Sequence, residues 1–271
     1  MTSRLEILRF PPPLPGSAPP LLFLHGAYAG AWCWVPFMTA LAAAGFDVYA
    51  LSFRGHAGSH GQEKLDEYGI DDYVIDLESV VDSFASPPIL VGHSMGGFVA
   101  QRYLSRGGSA AGLALLASVP PYGLTGSVFH MGLFYPKLLM DLSQFELGAM
   151  PKLDLMLVRT LLFSADMEDA ALSGFVQLAQ RESTRALLEM LLPQSWAHWS
   201  LPKLPALVLG AEDDKLIPPA DVWACARALG VEAEFIDGVG HAMMLDSRQG
   251  QVLTRLLAWL DATPWALTPE T

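Results

Sequence analysis

The sequence predicts an α/β fold: a doubly wound, mostly parallel sheet with a helical cap inserted over the sheet's carboxyl edge. Two patterns carry this. Short apolar runs closed by turn formers alternate with segments whose apolar residues recur at helical spacing. Buried parallel strands covered by helices on both faces read in this way. The alternation then stops across residues 120–200, which are rich in Leu, Met and Phe and have no clear strand. The expected organisation is a core of residues 1–119 and 201–271 and a cap, or lid, of residues 120–200.

Each element follows from its local pattern. Leu5–Phe10 alternates as a short strand, and Pro11–Pro20 is too Pro-rich to be anything but a loop. Leu21–Leu24 is a buried strand ending at His25-Gly26. Trp32–Ala44 reads as a helix with Gly45 just past its end, where a left-handed residue terminates helices. Phe46–Leu51 is a strand. Arg54–Gly61, with three glycines and two histidines, is a long turn. Apolar residues at 70, 73, 74, 77, 80 and 81 make Ile70–Ser83 a helix. Pro88–Val91 is a strand, Gly97–Ser105 a helix and Leu113–Leu116 a strand. The cap is expected to hold helices at Val128–Leu142, Leu153–Phe163, Ala170–Gln180 and Thr184–Leu192. Ala206–Leu209 and Ala233–Ile236 are further strands, and Val252–Leu260 is a closing helix.

Composition excludes several functions. The 271 residues are 52% hydrophobic with a mean hydropathy of +0.33, which rules out intrinsic disorder. Asp and Glu number 28 against 16 Lys and Arg, a net charge of −12, and no basic stripe occurs. Nucleic acid is therefore not an expected partner, nor is an anionic membrane surface. No apolar run is long enough for stable membrane insertion, and the first ten residues lack the apolar stretch of a signal peptide. A cytoplasmic location is expected. Cys33 and Cys225 are too few and too far apart for a disulfide framework, and read as reduced thiols in apolar surroundings. The surplus hydrophobicity must go into the core, an apolar pocket or a subunit face, so a homodimer is one outlet.

The chemistry is concentrated at Gly92-His93-Ser94-Met95-Gly96-Gly97, which follows a strand and opens a helix. Gly-x-Ser-x-Gly in that context makes a turn so sharp that side chains at 92 and 96 would collide with neighbouring backbone. The turn presents the Ser94 hydroxyl at the sheet's carboxyl edge, while the helix dipole favours developing negative charge there. A serine hydroxyl needs a base, and the base an orienting acid. His241, the last histidine, follows strand Ala233–Ile236. Asp213 and Asp214 follow strand Ala206–Leu209. All three groups fall at carboxyl ends of strands, where open α/β sheets place their sites. A metal site has no support, since no metal-ligand spacing occurs, and no Gly-x-Gly-x-x-Gly fingerprint implies a redox cofactor. The acidic run Glu67, Asp71, Asp72, Asp76, Glu78 reads as a solvated helix face.

In these motifs and their order, His25-Gly26, Ser52–Ser59, the Ser94 turn and the Asp–His tail, the chain resembles the α/β-hydrolase superfamily over essentially its whole length. It is most similar to lipase- and lysophospholipase-like serine esterases, whose turn often reads Gly-His-Ser-Met-Gly-Gly. The resemblance implies a Ser94–His241–Asp triad acting without a cofactor on a small-molecule ester. It also implies an oxyanion hole built from the Met95 and Ala27 amides. Small Ala27 beside Gly26 would let the backbone approach the substrate, and the Tyr28 hydroxyl is an alternative donor. Asp214 stands four residues before Pro218, an Asp-x-x-x-Pro habit of the family. Asp213 stands three residues past Gly210, another common offset. Asp214 is preferred and Asp213 stays open. Ser52 and Ala57 depart from the residues common there, Asp and Gly, in a segment that shapes a turn.

His25 is expected to be structural, His93 to pack, and His56 and His60 to be solvated. His130 and His198 could touch substrate from the cap. Tyr28, Phe129, His130 and Phe134 are the candidate substrate-binding residues, in an apolar stretch that also holds Met131, Leu133, Leu138, Leu139 and Met140. Ser94 at the turn argues against haloalkane dehalogenases and epoxide hydrolases, which need Asp there. Two other readings remain: a carbon–carbon bond hydrolase or cofactor-free perhydrolase on the same fold, and a hydrolase-fold protein that binds ligand without turnover.

Overall fold

The computed structural model describes residues 4–265 apart from 15, 17, 147–154, 193 and 195–200. Its centre is a seven-stranded sheet in the order β1-β3-β2-β4-β5-β6-β7. The strands are β1 (Glu6–Phe10), β2 (Leu21–Leu24), β3 (Val48–Ser52), β4 (Ile89–His93), β5 (Gly112–Leu116), β6 (Ala206–Ala211) and β7 (Ala233–Ile236). Only β1 runs antiparallel, pairing Glu6 with Ser52 and Phe10 with Val48. β2 to β7 are parallel throughout. Every residue of β2, β4 and β5 is buried, as strands covered on both faces require.

Two apolar layers flank the sheet. On one face α2 (Ile70–Val81), α3 (Met95–Ser105) and α9 (Pro219–Leu229) pack on Leu22, Leu24, Leu90 and Leu113. On the other, α1 (Val35–Ala43) and α10 (Gln249–Ala262) cover Leu21, Phe23, Ile89 and Val91. The alternation of these strand residues between the two layers is the period-2 geometry of a strand.

The helical insertion lies between β5 and β6. Its described helices are α4 (Thr125–Phe134), α5 (Pro136–Glu146), α6 (Leu155–Leu162), α7 (Asp169–Leu178) and α8 (Thr184–Leu191). The single helix expected over Val128–Leu142 is two, broken at Tyr135. Pro136 explains this: it disfavours helical geometry at the residue before it and lacks the N–H that a continuing helix needs. The helix expected over Trp32–Ala44 begins as a 3-10 turn, Ala31–Trp34, before α1. Helix α9 was not foreseen. Among the described residues, no helix is long and apolar enough to cross a membrane.

Candidate active site

Ser94 sits between β4 and α3 with φ 50° and ψ −117°, a strained conformation for a residue with a side chain. The glycines make it attainable. A Cβ on Gly92 would lie 2.6 Å from the Gly97 Cα, and one on Gly96 would lie 2.6 Å from the His25 carbonyl oxygen. Backbone bonds pin the turn from β5: the Ser94 N–H donates to the Leu116 carbonyl (3.1 Å) and the Val119 N–H to the Ser94 carbonyl (3.2 Å).

Behind the turn, the loop after β6 carries Asp214 and the loop after β7 carries His241. His241 Nδ1 lies 2.8 Å from Asp214 Oδ2, and both residues are buried. The other Asp214 oxygen accepts the Leu216 and Ile217 N–H groups at 2.8 and 2.9 Å, which fixes the carboxylate's orientation. Asp213, next in the chain, is exposed. The two loops are joined by the Asp213 N–H donating to the Val239 carbonyl (3.1 Å).

Ser94, His241, Ala27, Met95 and Tyr28 all line one cavity of about 160 Å³. Its other walls are almost wholly apolar. Val119, Leu216, Ile217, Met244 and Leu245 come from the sheet side, and Leu124, Val128, Met131, Leu139, Leu142, Leu162, Phe175, Leu187 and Met190 come from the insertion. Met95 opens α3, so its own amide has no partner within that helix, whereas the Gly97 and Phe98 amides donate to the Ser94 carbonyl. Tyr28 has a left-handed backbone (φ 66°), and its carbonyl accepts the Gln180 N–H at 3.0 Å.

Of the expected substrate contacts, Phe129, His130 and Phe134 do not line this cavity. Phe129 and Phe134 are 73% and 61% exposed, and His130 packs its ring against Phe134 and Tyr135. Helical spacing is the reason. Leu124, Val128 and Met131 form the inner stripe of α4, which leaves Phe129 and Leu133 on the outside. Met131 and Leu139, from the same apolar stretch, do reach the cavity. His198 lies outside the described residues.

The other histidines have definite partners. His25 donates from Nδ1 to the Gly26 carbonyl (2.8 Å) and accepts the Phe53 N–H at Nε2 (3.1 Å), so both ring nitrogens serve the backbone. Burial and the neighbouring His56 push its pKa down to about 3 and keep it neutral. His93 lies buried against His241, ring centroids 4.7 Å apart, and burial drives its pKa well below 6.5. His56, expected to be solvated, is buried and paired at 2.9 Å with Glu182 of the insertion. Asp76 likewise departs from the solvated face expected of it: it is buried and takes three bonds from Arg54, at 2.7–2.9 Å. Its spacing from Tyr73 and Val80 on α2 was the available signal. Ser52 accepts the Ala31 N–H (2.8 Å) and donates to Glu6 (2.6 Å), shaping the turn. Both cysteines are free and buried.

Residues 21–255 match the model of the Alpha/beta hydrolase family. The chain belongs to that family. Two curated relatives are a pheophorbidase of Raphanus sativus, 38% identical over 78 residues, and methyl jasmonate esterase 1 of Vitis vinifera, 33% identical over 120 residues. The matches take in 28% and 43% of this chain and 29% and 44% of those proteins, so the chain spans well under half the length of either. A monoacylglycerol lipase structure from Paleococcus ferrophilus superposes with a TM-score of 0.69 at 19% identity, covering 95% of this chain and 98% of that one. This shows the shared hydrolase fold.

Proposed function

We propose that this α/β hydrolase cleaves carboxylic esters carrying neutral, apolar acyl groups, with Ser94 as nucleophile, His241 as base and Asp214 as the acid that orients it. The observation that carries the reading is the buried His241–Asp214 bond of 2.8 Å behind a cavity that Ser94 lines. Nδ1 is occupied by Asp214, which leaves Nε2 for proton transfer. His241 takes the Ser94 proton as Oγ attacks the ester carbonyl carbon. The carbonyl oxygen becomes an oxyanion, and the Ala27 and Met95 amides supply its hydrogen bonds. The tetrahedral intermediate collapses, and the alcohol departs with the proton held by His241. Water then repeats the sequence on the acyl-enzyme, releasing the acid and restoring Ser94. Asp214 stabilises the imidazolium in both halves. Residues 120–200 act as the lid, since Val128, Met131, Leu139, Leu162, Phe175 and Met190 of the insertion close one side of the cavity.

The substrate class follows from the walls. Beyond the reacting groups, the cavity side chains are aliphatic or aromatic apart from Cys33, Ser127 and the neutral His93, and none carries a charge, so a charged acyl group would lose its hydration without a counter-charge. The name of one curated relative, methyl jasmonate esterase 1, agrees with ester cleavage. The test is a fluorophosphonate probe with a series of p-nitrophenyl esters. Labelling that disappears in Ser94→Ala, with turnover of neutral esters, is expected. No labelling of the folded wild type sinks the reading.

A further inference from the structure

The loop carrying His241 is tied to the helical insertion on both sides, directly on one and through Asp246 on the other. On one side the Ala242 N–H donates to the Leu162 carbonyl at 2.7 Å. On the other, the Gly240 N–H donates to Asp246 Oδ2 at 3.1 Å, and the Ser164 N–H donates to the same oxygen at 2.8 Å. The second oxygen, Oδ1, accepts the Arg248 N–H (3.2 Å) and the Ser164 hydroxyl (2.8 Å). Asp246 is wholly buried, and these donors replace the water it has lost. The loop and the insertion are also in close contact: a Cβ on Gly240 would lie 2.6 Å from the Phe163 carbonyl carbon.

We propose that Asp246 is a positioning residue for His241, acting through the Gly240 amide and joining the base's loop to residues 162–164 of the insertion. The inference rests on the reading of His241 as the base. Asp246 makes none of the contacts expected of a reacting group and does not line the cavity; its effect on turnover would pass through the backbone on either side of the imidazole. The same carboxylate oxygen serves both amides, so a shift of the 162–164 segment pulls on the histidine loop. The link makes the geometry of the base depend on how the insertion sits.

The experiment compares the full chain with Asp246→Asn, which keeps the volume but puts an NH₂ where an acceptor stood. One carbonyl oxygen cannot replace both acceptors. We expect kcat on p-nitrophenyl butyrate to fall about 10- to 100-fold with KM changed less than about threefold, because the loss is of alignment rather than binding. The ascending limb of the pH–rate profile should move as well. Asp261→Asn, which removes an exposed carboxylate near the C-terminal end of α10 without touching Ser164 or Gly240, should keep both parameters. A folded Asp246→Asn protein with wild-type kcat and pH profile, or with only KM altered, overturns the proposal. Amide exchange on the wild type tests it without a variant: the Gly240 and Ser164 amides should exchange slowly, and free exchange at Gly240 overturns it too. Ser94→Ala is assayed alongside. If that variant stays active, the Ser94–His241 reading fails, which is a different result from an active Asp246→Asn.

Discussion

His93, the residue before the strained Ser94, donates from Nε2 to the backbone carbonyl of His241 at 2.9 Å. The strand end that presents the candidate nucleophile thus also holds the backbone of the candidate base. His93 stays neutral because it is buried, so it keeps a single ring proton, which this bond uses. His93→Phe retains a ring against His241 but removes one of the two donors to its carbonyl, leaving the Met243 N–H at 2.8 Å; losing one such bond costs about 0.5–1.5 kcal/mol. Urea denaturation should register that loss, and kcat should fall with it. Unchanged stability and turnover would show the bond to be dispensable.

The strain at Ser94 gives a prediction that separates fold from function. A residue with a side chain at this φ costs about 1–3 kcal/mol, and glycine adopts it freely. Ser94→Ala and Ser94→Gly should both abolish ester hydrolysis and probe labelling. Ser94→Gly should be the more stable of the two in urea, by up to about 1 kcal/mol once the added freedom of the unfolded chain is counted. If Ser94→Ala is clearly the more stable variant, the turn is not storing strain.

What the sequence made legible here is what local covalent constraints dictate. The Ser94 turn is readable because no residue but glycine fits at 92 and 96. The loop at Asp214 was picked out through the family resemblance, by the Asp-x-x-x-Pro spacing to Pro218; that its carboxylate accepts the Leu216 and Ile217 amides is visible only in the structure. Pairings that depend on distant chain segments were not readable. His56 finds Glu182 126 residues away, and Asp246 reaches Ser164 across 82. No local pattern marks either partner. The outward turn of Phe129 and Phe134 was missed for a related reason: α4 is apolar on both faces, so periodicity alone could not say which face meets the cavity.

The two adjacent aspartates should behave differently. Asp214 is buried against His241, whereas Asp213 is exposed. Asp214→Asn presents an amide where a carboxylate accepted the imidazole N–H, which disfavours the needed tautomer. We expect kcat to fall about 10³- to 10⁴-fold, as in triads of this kind. Asp213→Asn should cost less than about tenfold. Steady-state kinetics on one ester decides it, and a crippled Asp213→Asn beside a mild Asp214→Asn reverses the assignment.

Cavity size bounds the acyl group. The volume of about 160 Å³ is close to that of an apolar cavity of ~150 Å³ known to hold benzene, so about six carbon atoms fill it as it stands. Each buried methylene contributes about 0.8 kcal/mol, so kcat/KM should climb up to roughly fourfold per carbon and then fall once the cavity is full. Met131→Trp should move the optimum to shorter chains, since Met131 lines the wall. A wild-type preference for acetate over butyrate and hexanoate contradicts an apolar acyl site.

The last prediction concerns the buried ion pair that ties the insertion to the core. His56 Nε2 faces Glu182 at 2.9 Å while its Nδ1 faces the Arg54 carbonyl at 3.1 Å. Two acceptors on two ring nitrogens call for two protons, so the geometry itself selects the imidazolium. Burial would lower the His56 pKa, but the charge and hydrogen bond of Glu182 outweigh it and hold it above 6.5. Burial would raise Glu182, but His56, the Ser183 N–H and the Tyr73 hydroxyl hold it below 4.5. The signs then follow. The histidine's contribution to stability is complete below its unfolded value of 6.5 and is lost as pH rises through the raised folded value. The carboxylate's contribution is complete above 4.5 and is lost as pH falls through the lowered one. Glu182→Gln should therefore destabilise the protein most between about pH 4.5 and 6.5, by about 3–5 kcal/mol for a broken buried pair. The gap to wild type should narrow on the alkaline side, where His56 loses its proton and leaves Glu182 charged among neutral donors. Urea denaturation of both proteins from about pH 5 to 9 measures this, and a gap that stays constant across that range contradicts an ionised pair.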